Sequence, residues 1–357
     1  MCRIKAILFA STLLAASSAP AHADVNVVAS IKPIHSLVAA VMEGVGEPGL
    51  IVEGAGSPHT YALKPSQAQM LESANVVFWI GHELEAFLEK PLETIGANAK
   101  SVELVDAHDL VKRGFREGGA FEAHADDEPG HDDHAHEVKT GDDHGHEEKT
   151  EADHGHDGEI TADHGHGHDN ETSAEAGDDG HAHGAFDAHV WLDPMNAKAM
   201  VHEIEEALVA ADPENAEKYE ANAEAVSARL DALITEVSAE LEPIKGKGFI
   251  VFHDAYQYFE NRFGVSAAGS ITISPEVMPG AERISEIRAR LQELGAACVF
   301  AEPQFEPKLV TTVIEGTQAK AGVIDPLGTA IDNGPELYFQ LIRNMATSIK
   351  TCVSEAI

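Results

Sequence analysis

The chain reads as an α/β protein: two (β/α) lobes with parallel sheets, joined by a long rigid helix. Three observations predict this. Short apolar runs alternate with helical stretches, which argues for βαβ units and parallel pairing. The alternation occurs once before the middle of the 357-residue chain and again after it. The middle carries one long helical stripe.

The N-terminus comes first. Arg3 and Lys5 precede an apolar run over 6–16, too short to span a bilayer. Ala21-His22-Ala23 is an A-x-A cleavage signal, so 1–23 is expected to be a signal peptide cleaved after Ala23. Cys2 precedes the apolar run, so it is not a lipid-attachment cysteine and leaves with the signal. No later segment is long and apolar enough to cross a membrane. The expectation is a soluble, exported protein.

Residues 24–212 form the expected N-terminal lobe. Its strands are read at 25–29, 50–52 and 76–80, and its helices at 33–42, 65–73 and 83–88. Asp193-Pro194 and Asp212-Pro213 each place an N-cap acid before a proline at the first helical position. From Pro213 the stripe Tyr219, Val226, Leu230, Leu233, Ile234, Val237 and Leu241 keeps helical spacing, and it stops near Pro243 and Gly246. A linking helix over 213–241 would be about 44 Å long at ~1.5 Å per residue. That is enough to cross a two-lobed protein and to allow only small hinge motion. Residues 242–357 form the C-terminal lobe, with strands at 249–252, 298–301 and 323–324 and a helix at 281–294.

The segment 121–184 breaks this pattern. The pairs His134 and His136, His144 and His146, His154 and His156, and His164 and His166 recur every ten residues, with His168 close behind, in Asp/Glu/Gly-rich filler. The segment holds 13 of the 21 histidines and 19 of the 37 net negative charges. It has too little apolar surface to offset ordering entropy, so it is expected to be disordered. Imidazoles among carboxylates suit zinc, copper or nickel, which makes it a candidate low-affinity metal-collecting insert. A solvating insert with no role is the other reading.

Export changes how the cysteines read. Cys298 and Cys352 remain, an even pair in an oxidising compartment. A disulfide between them would close a loop of about 55 residues and stabilise by roughly 3–4 kcal/mol in the chain-entropy model. Two buried free thiols are the alternative. The net charge of −37 and the absence of a basic stripe argue against nucleic acid and suit a cationic ligand.

Candidate ligands sit at strand ends, where open α/β sheets bind ligands. His59 lies in the loop after strand 50–52, His253 and Asp254 follow strand 249–252, Glu302 follows strand 298–301 and Asp325 follows Ile324. His189 lies where the insert rejoins the fold. Each alone is weak evidence, since loop histidines and strand-end acids are mostly surface or capping residues. Their convergence from both halves is the signal. His35, His82, His108 and His202 have no such company and read as structural or exposed.

The segments HTYALKPS, DAHVWLDP, FIVFHDAYQYFENRFG, VFAEPQF and IDPLGT, taken with the insert before DAHVWLDP, resemble the zinc-specific solute-binding proteins of bacterial ABC importers, the ZnuA type. The resemblance covers residues 24–357 in order. It implies a periplasmic receptor, expected to be a monomer, that passes Zn(2+) to an inner-membrane permease and its ATPase. It also implies a metal cleft between the lobes, with His59, His189 and His253 as imidazole ligands and Asp325, or a water in its place, as the fourth. Manganese-binding relatives typically show a glutamate where His253 stands. Some zinc members carry a glutamate just before the first histidine. Here that residue is Pro58, which shifts weight toward Asp325.

Three imidazoles and a carboxylate independently suit four-coordinate zinc, whereas manganese prefers more oxygen. Asp254 and Glu302 read as supporting acids rather than ligands. Other classes are weaker. A zinc hydrolase has no HExxH and no base fixed by spacing beside a ligand. A metal-dependent adhesin on the same fold would be expected to need an anchor. A storage protein using only the insert leaves the strand-end residues unexplained.

Overall fold

A computed structural model describes residues 25–116, 121, 186–272, 275, 279–294 and 298–355. Both sheets belong to one compact unit. The expected signal peptide and its cleavage after Ala23 lie outside the described residues. So does the expected metal-collecting set of His134, His136, His144, His146, His154, His156, His164, His166 and His168.

The first sheet is four parallel strands in the order β2-β1-β3-β4. They are β1 (Val27–Ala29), β2 (Gly49–Leu50), β3 (Val76–Trp79) and β4 (Lys100–Glu103), with helices α1 (Lys32–Val41), α2 (Pro65–Glu72) and α3 (His82–Thr94) between them. β1 and β3 are buried along their whole length, as the continuous apolar runs require of central parallel strands. The second sheet is also parallel, in the order β6-β5-β7-β8. Its strands are β5 (Gly248–His253), β6 (Ser266–Thr272), β7 (Cys298–Ala301) and β8 (Lys320–Val323). Helices α6 (Gln257–Phe263), α7 (Ala281–Leu294) and α8 (Lys308–Ile314) connect them.

Between the sheets run α4 (Pro194–Ala211) and α5 (Ala216–Leu241). Asp193 caps α4 as expected, accepting from the Met195 amide at 2.8 Å. Asp212 does not cap α5 in the same way. Residues Pro213–Asn215 form a 3-10 turn, and the Asp212 carboxylate accepts from the Tyr219 hydroxyl at 2.9 Å. The α-helix is therefore 26 residues long, or about 39 Å at ~1.5 Å per residue. Tyr219, Val226, Leu230, Leu233, Val237 and Leu241 form its buried stripe, with Ile234 half-buried at the edge.

The C-terminal helix α9 (Leu337–Glu355) packs along both α5 and α1, not only on its own sheet. Its amphipathic face enters the same core, and Arg343 and Glu336 pair with Glu236 and Arg229 of α5. The long helix is thus flanked by α1, α4 and α9. The expected disulfide joins Cys298 of β7 to Cys352 of α9, with Cα atoms 6.0 Å apart. No helix among the described residues is long and apolar enough to cross a membrane.

Candidate metal centre

His59, His189 and His253 come together, and their ligand atoms lie within 4.8 Å of one another. Different local devices deliver each ring. His59 rides on the loop after β2. Gly56 lets that loop close, because a Cβ there would sit 2.8 Å from the Tyr61 ring. Tyr61 is itself fixed by hydrogen bonds to the Ile51 carbonyl and from the Gln67 side chain. His189 begins the 3-10 turn Val190–Leu192. Its amide donates to Asp187 Oδ1 at 2.9 Å, and its Nδ1 bonds the same oxygen at 2.6 Å. His253 is the last residue of β5. The register of β5 on β7, Ile250 opposite Val299, puts it beside Glu302, and its Nδ1 bonds Glu302 Oε1 at 2.7 Å.

These carboxylates decide the tautomers. When the rings are neutral, each keeps its proton on Nδ1, donated to the acid, and His189 and His253 present bare Nε2 atoms inward. The Nε2 atoms of His59 and His189 are 3.2 Å apart, and those of His253 and His189 are 3.3 Å apart. Nitrogens at ~2.0–2.1 Å from a tetrahedral zinc would be about 3.3 Å apart. The rings therefore already stand at a zinc-like separation. The cavity beside them is about 10 Å³, lined by Pro58, Trp191, Phe305, Pro326 and Leu327 among others. That is space for one ion or water within mostly apolar walls.

His189 and His253 are only 7% and 3% exposed. Burial, together with the charge of His253, pushes the His189 pKa well below the ordinary histidine value. Burial also acts to lower His253, but the ion pair with Glu302 outweighs it and the net shift is upward. Burial raises Asp187 to about 6. At neutral pH it remains ionised and accepts from His189.

Asp325 is not in this group. Its carboxylate organises its own loop, accepting from the Leu327 amide, the Thr329 amide and hydroxyl, and the Gln304 side chain. Lys32 holds the same loop from α1, donating to the Thr329 and Ile331 carbonyls at 3.1 and 2.7 Å. The two supporting acids part company. Glu302 holds the His253 ring, whereas Asp254 turns to Arg116. His82, His108 and His202 are exposed, and His35 is a buried ring bonded to the Pro48 carbonyl. Asp187 had no role in the sequence reading. Its signal was the Asp-x-His spacing, which lets one carboxylate bond both the amide and Nδ1 of the histidine.

A family-wide sequence model described as ZnuA, zinc-uptake complex component A periplasmic, matches residues 27–352. The chain belongs to that family. It is 54% identical over 357 residues to the high-affinity zinc uptake system protein ZnuA of Brucella suis biovar 1 (strain 1330), covering 99% of this chain and all of the relative. The Yersinia pestis protein of the same name is 35% identical and covers 98% of each chain. A crystal structure of ZnuA superposes with a TM-score of 0.67 at 20% identity, covering 92% of this chain and 99% of that one. The two-sheet fold is that of the family.

Proposed function

We propose that this protein is the periplasmic, high-affinity zinc receptor of an ABC importer, binding Zn(2+) in its cleft and passing it to the membrane permease and its ATPase. One observation carries the reading. Three imidazole Nε2 atoms converge at separations of 3.2 and 3.3 Å, two of them oriented by buried carboxylates. Family membership supports the transport role, and the family is a transport component rather than an enzyme.

Within that reading His59, His189 and His253 bind zinc. Asp325 or a water completes the tetrahedron, and the loop bonds now holding Asp325 favour water. The nitrogen-rich set selects against manganese. The chain acts as an exported monomer after cleavage at Ala23. The histidine pairs from His134 to His168 act as a low-affinity collector, raising the local metal concentration near the cleft.

Metal analysis of protein purified without chelator, with and without residues 125–182, tests this. The expected result is one tightly held zinc in both forms. A shortened chain that retains no zinc would make the protein a storage device rather than a receptor.

A further inference from the structure

The legs that flank the histidine-rich segment are tied to the wrong sheet. Residues 113–116 and 186–189 run side by side, the Asp187 amide donating to the Arg113 carbonyl at 2.9 Å. Both legs precede α5 in the chain and follow the first sheet. Their side-chain ties go to the β5–α6 segment of the second. The Tyr258 hydroxyl accepts from the Arg113 amide at 2.9 Å and donates to the Asp187 carbonyl at 2.7 Å, so one side chain holds both legs. The Gln257 amide donates to the Gly114 carbonyl at 3.2 Å.

Arg116 is the strongest tie. Its Nε donates to both Asp254 oxygens at 3.0 Å, and its Nη2 also bonds Asp254 Oδ1. Its Nη1 and Nη2 reach the two Glu260 oxygens at 2.7 and 3.0 Å. One guanidinium thus engages two carboxylates, each through both oxygens, a geometry that a lysine cannot reproduce. The Phe121 ring lies over the guanidinium at 4.1 Å. Among the described residues no other cation pairs with Asp254 or Glu260. Asp254 directly follows His253, and Asp187 lies two residues before His189.

We infer that Arg116 is a latch: it fixes the 113–116 leg, and through it the paired leg that bears His189, against the strand end that bears His253, and so governs how long the cleft retains zinc. The inference rests on zinc being held by those histidines. Arg116 does not touch the metal; it is a positioning residue. With the latch closed, the two Nε2 atoms are preset at 3.3 Å and binding needs no rearrangement. With it open, the buried Glu260 and the partly buried Asp254 repel each other, the paired legs loosen together, and His189 can leave the metal without moving either sheet.

The test is zinc release from the full chain into excess chromophoric chelator, following the slowest phase. His253→Ala should abolish that phase. If it persists, the site assignment fails, not the latch. With that control in place, Arg116→Gln and Glu260→Gln should each release at least tenfold faster than wild type. The double variant should be no faster than the faster single. Release from Arg116→Gln at the wild-type rate overturns the latch, even if the metal-free protein melts lower, since a purely structural residue would give that result. Effects of the two changes that multiply independently also overturn it. Should Arg116→Gln not fold, Arg116→Lys, which keeps the charge but loses the fork, should still release faster than wild type. An unchanged rate overturns the inference.

Discussion

The Nε2 atoms of His189 and His253 face each other at 3.3 Å, while both Nδ1 atoms are engaged by Asp187 and Glu302. Two lone pairs at that distance repel unless a proton or a metal ion lies between them. The buried acids thus do more than orient rings. In the neutral rings they keep the proton on Nδ1, so both Nε2 lone pairs point inward, where a bound cation relieves their repulsion.

Replacing His59, His189 or His253 by alanine is expected to weaken zinc binding more than tenfold each, because few donors remain to satisfy a tetrahedral ion. Asp187→Asn and Glu302→Gln keep the shape but lose the anionic acceptor, and should cost about 10–100-fold. Competition with a chelator of known affinity measures all five. Wild-type affinity in any alanine variant would remove that residue from the site.

Asp325→Ala should weaken zinc less than any of the histidine changes. Its larger effect should be on stability, about 1–3 kcal/mol, because three loop donors and Gln304 lose their acceptor. Denaturant melts of the metal-free protein, set beside zinc affinities, separate the two effects. An affinity loss equal to that of His189→Ala would make Asp325 a ligand in the loaded protein.

Acid should release zinc, and the direction of each shift fixes the window. The raised pKa of His253 stabilises the metal-free fold fully below about 6.5. That contribution is lost as pH rises through the higher folded value. Asp187, raised to about 6 by burial, costs nothing below its usual 3.8 and progressively more as pH climbs through its folded value. Zinc requires both rings neutral and gains from an ionised Asp187. The metal-free protein therefore loses stability from these groups over the range in which zinc binding improves. The zinc-induced rise in Tm should grow steadily from about pH 5 to about pH 8. A constant increment would show that these groups do not titrate against the metal.

Cys298→Ser with Cys352→Ser should lower stability by roughly 3–4 kcal/mol. The bond ties β7 to α9, away from the three Nε2 atoms, so zinc affinity should fall only slightly. Thermal melts with and without zinc measure both. An affinity loss as large as that of a histidine variant would mean that the bond also shapes the cleft.

Removing residues 125–182 should leave cleft affinity near wild type and reduce growth only when zinc is scarce. Growth of the shortened strain under graded chelation checks this. Equal growth at every chelator level would reduce the segment to a polar spacer.

Much of this was legible in the chain. Val76–Trp79 and Cys298–Ala301 are continuous apolar runs, and burial on both faces of a parallel sheet demands that pattern. Lys100–Glu103 and Ser266–Thr272 escaped notice. The first is a polar edge strand, and the second is built largely of small residues without alternation. The helical stripe marked α5 but not its first turn, because a 3-10 start leaves no trace in apolar spacing. The C-terminal helix is tied to β7 by the disulfide. That it also lines α5 and α1 depends on contacts far along the chain.

The sequence by itself determined the alternation of strands and helices, the cysteine pair and the strand-end candidates that include His59 and His253, because period, charge and strand-end position are local properties of the chain; the choice of His59, His189 and His253 together came from the family resemblance. Only the tertiary structure decided what those residues face. The β5–β7 register makes Glu302 the partner of His253, the turn at Asp187 aims His189, and Thr329 and Gln304 engage Asp325. Arg116 bonds Asp254, 138 residues away. The physical reason is range: hydrogen bonds act over about 3 Å in space, and no spacing along the chain encodes which distant groups packing will bring that close.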